Sequence, residues 1–428
     1  MSKTHQFLQK SVNFPLSFIC ICFIYCGFLF SNFANARGFD SLLKQFSQLG
    51  AFRSILESRI VLNVKDYGAK GMALKTILRI IIPEGSHYLV RPISLAGPCT
   101  SKITLVISGS IVAPHNPDVW HGADTHKWLY FHGVDHLTVE GGGTIDGTGK
   151  EWWESSCKIK PKNAITFHRC NNLVVKNLKI VNGQQMHIAF TTCDGVAVSR
   201  LGVFAPGGSP NTDGIHISAS TNVEVKDSTI RTGDDCISIV SNSSKVKVRN
   251  IACGPGHGIS IGSLGKSGSC DQVYDVSVRG AFLSNTENGL RIKTWQGGSG
   301  FVSNVKFEDV LMENVSNPII IDQYYCDSSK ACPNKTCAIN VENISYVNIK
   351  GTSASQEAIN FACSDVAPCE GLYLEDVQLV SATGGITTSF CWEARGSTSG
   401  TVYPPSCYSS CSSFIKQITS SIPRLQAI

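Results

Sequence analysis

In TNVEVKDSTIRTGDDCISIVSNSSKVKVRN, residues 221–250, the triplet Val223-Glu224-Val225 returns 23 residues later as Val246-Lys247-Val248. The same apolar-x-apolar triplet stands upstream at Leu137-Thr138-Val139, Leu173-Val174-Val175 and Val196-Ala197-Val198. It stands downstream at Val276-Ser277-Val278, Val305-Lys306-Phe307, Ile344-Ser345-Tyr346 and Leu372-Tyr373-Leu374. Alternation with period two predicts strands that send every second side chain inward. A β-sandwich would place its turns every 8–12 residues or so. Here the interval between Leu173 and Val305 is 23 to 30 residues, and an Asn/Asp and Ile/Val run returns with it. That longer repeat predicts a single-stranded, right-handed parallel β-helix, in which each coil buries its inward side chains only by stacking on the next. The 39 glycines and the low content of charged residues, 16%, suit an all-β chain of short strands and tight turns.

Four motifs lie inside this region: Asn211-Thr212-Asp213-Gly214, Gly233-Asp234-Asp235, Gly256-His257-Gly258 and Arg291-Ile292-Lys293. Asp213, Asp235 and His257 follow one another at intervals of 22 residues. In a solenoid, residues one coil apart stack roughly 4.8 Å apart, so this spacing predicts three carboxylates and a histidine on one patch. Carboxylates that repel one another keep one of their number protonated at moderately acid pH. One protonated and one ionised carboxyl is the pairing that cleaves a glycosidic bond: the first protonates the leaving oxygen and the second activates water. Asp234 and Asp235 are neighbours and would point to opposite faces of a regular strand, so both reach one cleft only if the chain bends at Gly233. His257 is expected to tune the acid through a hydrogen bond. Arg291 and Lys293 share a strand face and suit a substrate that carries carboxylates; the competing reading pairs them with Asp235 or Glu287. Singly, each aspartate beside a glycine also reads as a turn cap.

Other candidates carry less. His115, His121, His126, His132 and His136 lack the spacing of a metal site and read as loop and surface histidines. His187 faces a cleft or packs. Trp152-Trp153 and Trp295 read as sugar platforms or as buried aromatics. The glycine run 141–143 has no Lys-Ser/Thr after it and reads as a strand turn rather than a phosphate loop. The formal charge of +5 mildly favours a polyanionic ligand.

The ends set the address. Lys3 and Lys10, the apolar run 16–30 and Ala34-Asn35-Ala36 predict a secretory signal over 1–36, the apolar run being too short for the roughly 20 residues of a membrane span. A short amphipathic helix or pro-segment is expected over 37–60, the β-helix over 61–411 and a tail over 412–428. Eighteen cysteines are present, and Cys20, Cys22 and Cys26 leave with the signal. In an oxidising compartment most of the others should pair, with Cys326/Cys332/Cys337, Cys363/Cys369 and Cys391/Cys407/Cys411 as loop staples. Sequons at Asn242, Asn314, Asn334 and Asn343 agree with a glycosylated, secreted protein.

The four motifs, in this order and spacing, resemble the signature of the polygalacturonases of glycoside hydrolase family 28, and the wording around them is similar to the plant members. The resemblance covers about Val61 to Cys411 and implies a pectin-lyase-like solenoid. It also implies inverting hydrolysis of α-1,4-linked galacturonic acid in pectin, in the plant cell wall, by an endo-acting, monomeric, secreted enzyme with no cofactor, metal or nucleic-acid partner. Carried over, Asp234 is the general acid, and Asp213 with Asp235 positions and deprotonates water. His257 supports the acid, Arg291 and Lys293 grip galacturonate carboxylates, and Asn211 and Tyr325 complete the substrate site. The chain departs from the pattern between Gly71 and Ile80. Similar proteins carry there a capping helix whose cysteine pairs with the one that Cys99 matches. A non-catalytic, wall-binding β-helix is the alternative this departure raises, and a calcium-dependent lyase on the same architecture is the other.

Overall fold

The computed structural model describes residues 78–99, 101–120, 127–154, 163–328 and 330–408. The expected signal, the helix at 37–60, the cap region up to residue 77 and the tail at 412–428 lie outside them. These residues form two compact units: residues up to Ile188 with Cys193–Gly202, and Ala189–Thr192 with Val203 onward. Both are built from parallel strands in the coils of a right-handed β-helix. No helix among the described residues is long and apolar enough to cross a membrane.

In the first unit, Leu78–Ile82, Ile103–Ile107 and Leu137–Glu140 pair in parallel, with Ile103 opposite Leu137 and Leu105 opposite Val139. Asn171–Val181 continues the ladder with Val175 opposite Val139. On a second face Ile93–Ala96, Lys127–His132 and Asn163–His168 pair so that Phe131 lies opposite Phe167, the rings stacked at 4.9 Å. The helix Lys150–Glu154 buries Trp152 edge-on against Trp120, while Trp153 is half-buried and its ring N–H donates to the Gly183 carbonyl at 3.0 Å. His187 is fully buried.

The second unit repeats one coil seven times. Its long strands are Thr221–Arg231, Ser243–Cys253, Cys270–Ser284, Ser299–Val315, Asn340–Ser353, Cys369–Ser381 and Ala394–Tyr403. The triplets read from the sequence align along them: Val223, Val246, Val276, Val305, Ile344 and Leu372 form one inward column, and Val225, Val248, Val278, Phe307, Tyr346 and Leu374 the next. Each long strand bends at residues in the left-handed conformation, among them Asp227, Asn250, Asp309 and Asn348. Asx residues tolerate positive φ, and here their side chains bond along the stack, Asn250 to Asp227 at 3.0 Å and Asn348 to Asp309 at 2.8 Å. The shorter strands Ile215–Ser218, Ile237–Ile239, Ile259–Leu264, Asn288–Thr294, Asn317–Asp322, Glu357–Ala362 and Thr388–Trp392 form the face that carries the chemistry.

Disulfides join Cys326–Cys332, Cys363–Cys369 and Cys391–Cys407, as the close spacings suggested. Cys337 was expected in the first of these groups and is not bonded there; its sulfur lies 3.8 Å from the Gly297 carbonyl. A fourth bridge, Cys236–Cys253, was not anticipated, because its 17-residue loop spans one turn of the coil and shows no local signal.

Candidate active site

Three successive short strands share the pattern Ile-x-Ile, at Ile215-His216-Ile217, Ile237-Ser238-Ile239 and Ile259-Ser260-Ile261, and pair residue for residue. The isoleucines are buried, so the middle residues point outward, and Arg291 stands opposite Ser260 on the next rung. Asp213, Asp235 and His257 each precede the first isoleucine of a rung by two positions. The 22-residue interval is therefore the length of one coil.

The chain leaves its strand at Arg231 and turns through 232–236, which lets Asp234 and Asp235 reach the same side. Gly233 is required by close approach: a Cβ there would lie 1.9 Å from the Ser209 carbonyl oxygen. Gly258 sits at φ 83°, and its Cβ would meet the Asn288 oxygen at 2.1 Å. His257 is presented from between such constraints, its backbone N–H donating to the Asp234 carbonyl at 2.8 Å.

The acids have different surroundings. Asp234 Oδ1 accepts from the Asp235 N–H at 2.8 Å and from His257 Nδ1 at 3.0 Å, and Oδ2 faces Asn211 Nδ2 at 3.3 Å. Asp235 Oδ1 accepts from Arg291 Nη2 at 2.6 Å and Ser260 Oγ at 2.7 Å, while Oδ2 accepts from Lys293 Nζ at 2.9 Å. Burial alone would push Asp235 up, but Lys293, Arg291 and Ser260 outweigh it and hold the carboxyl down at about 2. Asp213 Oδ2 accepts from Ser238 Oγ at 2.7 Å. Burial raises its pKa, offset in part by His216, with Asp234 and Asp235 adding to the rise. His257 is raised chiefly by its hydrogen bond to Asp234, against an opposing effect of burial, and its Nε2 lies 3.2 Å from Glu287.

Arg291 and Lys293 share one strand face and both bind Asp235, so the competing salt-bridge reading describes the protein without ligand. Tyr325 stands beside them, its ring centroid 5.4 Å from Lys293 Nζ and 5.6 Å from the edge-on ring of Trp295. Burial, and then Asp327, push the Tyr325 phenol up to about 12. Sequence reading missed Ser238, Ser260 and His216 as site residues. The signal was present in the outward position of the Ile-x-Ile rungs.

Asp234, Asp235 and His257 offer ligand atoms within 4.8 Å of one another. That set does not fit a metal ion, because both Asp235 oxygens already hold cationic side chains. Of the five histidines in the 115–136 cluster, His121 and His126 lie outside the described residues. His132 packs against Tyr130 and His168 at 5.9 and 5.1 Å between ring centroids.

The family profile of the glycosyl hydrolases family 28 matches residues 73–400. The chain is 53% identical over 409 residues to a protein of Arabidopsis thaliana described as a probable polygalacturonase, covering 90% of this chain and 92% of that one. It is 44% identical over 391 residues to a polygalacturonase of Persea americana, covering 86% and 84% respectively. Among solved structures, the polygalacturonase of Erwinia carotovora ssp. carotovora superposes with a TM-score of 0.64 over 75% of this chain and 89% of its own, at 23% identity. That likeness speaks for the fold alone.

Proposed function

This chain belongs to the glycosyl hydrolases family 28, and on that premise we propose that it hydrolyses α-1,4-galacturonosidic bonds of pectin with inversion at the anomeric carbon. The observation that carries the reading is the turn at Gly233, which sets Asp234 against His257 and Asp235 against Arg291 and Lys293. Asp234 donates a proton to the leaving glycosidic oxygen. Its Oδ1 accepts from the Asp235 N–H and His257 at 2.8 and 3.0 Å, whereas Oδ2 has the longer contact to Asn211 at 3.3 Å and is the oxygen that carries the proton. Asp213 and Asp235 orient water and remove its proton on the opposite side of the sugar ring. Arg291 and Lys293, with Tyr325 and Asn211, bind the substrate: a galacturonate carboxylate brought to the two cations would share them with Asp235.

Four disulfides among the described residues support an extracellular address. We place the enzyme in the cell wall as a monomer that attacks internal bonds. Random shortening of long polygalacturonate chains supports internal attack, and release of monomer alone refutes it. The central experiment compares reducing-end release from polygalacturonate by the enzyme and by Asp234→Asn. Equal release by the two proteins would sink the assignment.

A further inference from the structure

Asp213 and Asp235 are both buried and have both been given the task of handling water, yet their neighbours differ. Asp235 is neutralised by Arg291 and Lys293. The charged groups that face Asp213 are His216, Asp234 and Asp235: one base and two acids. Its link to that base is built. Ser238 Oγ lies 2.7 Å from Asp213 Oδ2 and 2.7 Å from His216 Nδ1, and His216 Nδ1 is itself 3.7 Å from Asp213 Oδ2. A hydroxyl has one hydrogen to give. When it goes to the ionised carboxylate, Nδ1 must carry a hydrogen and donate it to Oγ, so the imidazole fixes the hydroxyl as a donor to Asp213. The three residues come from adjoining rungs, His216 directly opposite Ser238.

Resting on the hydrolase reading above, in which Asp213 accepts the proton of the attacking water, we propose that His216, acting through Ser238, is the positioning residue that holds the Asp213 carboxylate in its proton-accepting form. In the step, a water O–H bond breaks and its proton passes to Asp213. The water oxygen bonds to the anomeric carbon as the bond to the glycosidic oxygen breaks, and that oxygen receives the Asp234 proton. Both aspartates then return to their starting forms by exchange with solvent. Burial makes Asp213 the stronger base of the two, whereas Asp235, held at about 2, is a weak one. Asp235 then serves to hold water and the cations.

The test measures kcat/KM on polygalacturonate against pH for the enzyme, His216→Asn and Ser238→Ala, with thermal melts to establish folding. Titration of the substrate's own carboxylates is common to all three and drops out of the comparison. A hydrogen bond given to the ionised form holds a carboxyl down, so removing the donor, or the ring that fixes its direction, should move the acid limb of both variants up by about one unit, with roughly tenfold loss below the limb. If His216→Asn does not fold, Ser238→Ala decides. An acid limb that stays in place, or a rise in KM without any movement of the limb, overturns the inference and leaves the hydrolase reading intact. Absence of hydrolysis by the unmodified enzyme overturns both.

Discussion

Lys293 Nζ lies 2.9 Å from Asp235 Oδ2, and both side chains are withdrawn from solvent. Removing one partner of a buried ion pair leaves the other charge stranded. Lys293→Met leaves Asp235 with Arg291 as its cation, so the fall in unfolding free energy should stay below about 3–5 kcal/mol, the cost of a fully stranded charge, read by urea denaturation near pH 6. Combined with Asp235→Asn, the total loss should fall short of the sum of the two single losses, and simple additivity of the two changes would argue against the pairing.

Asp235 also fixes a pH dependence. Its folded-state pKa is depressed from 3.8 to about 2, so the stability it confers is present above 3.8 and is lost as pH falls through about 2. In Asp235→Asn that acid-side decline should be shallower between pH 3.8 and about 2, as followed by melting temperature.

Asp213 works with the opposite sign. Its folded-state value lies above 3.8, so the wild-type carboxyl favours folding below 3.8 and loses that advantage as pH rises through the folded value. Asp213→Asn should melt higher than the parent at neutral pH and converge with it below 3.8, while kcat falls on the order of 10²–10⁴-fold. A variant less stable than the parent at pH 7 would contradict the burial argument.

His257 is raised above 6.5 mainly by Asp234, so its contribution to stability is full below 6.5 and disappears as pH rises through the folded-state value. His257→Gln should flatten the fall in melting temperature between pH 6 and pH 9. It should also reduce kcat more than it raises KM, because the ring touches Asp234.

The Cys236–Cys253 bridge closes a 17-residue loop beside Asp235. Replacing both cysteines by alanine should cost about 3 kcal/mol on the chain-entropy argument. It should reduce activity further than Cys326→Ala with Cys332→Ala, whose loop is remote from Asp235 in sequence. Equal effects on turnover would deny the first bridge a part in holding the turn.

Much of this was legible before any coordinates. The valine triplets form the columns of the long sheet because period two and a constant coil length are properties of the sequence itself. The corners at Asp227 and Asn250 were visible as recurring Asx residues, though a positive φ is not. The Asp213, Asp235 and His257 spacing worked because Ile215, Ile237 and Ile259 keep one coil length. It failed further along: Arg291 stands 31 residues after Ser260, and the added chain, including the short turn Lys266–Gly268, hides the stacking. The occupation of Asp235 by both cations was present in the sequence as the competing salt-bridge reading, and burial, which sequence does not show, decides it for Asp235 over Glu287. Ser238 and Ser260 looked like filler between isoleucines.

Asp213, the Asp234–Asp235 turn, His257 and the pair Arg291 and Lys293 belong to four successive rungs, and no single coil carries the acid, its histidine and the two cations together. A nascent chain stalled after two or three coils is therefore chemically silent, and turnover begins only when the fourth has docked. Catalysis thereby reports on assembly: a molecule that cuts its polymer has, by that act, shown that its midsection closed in register.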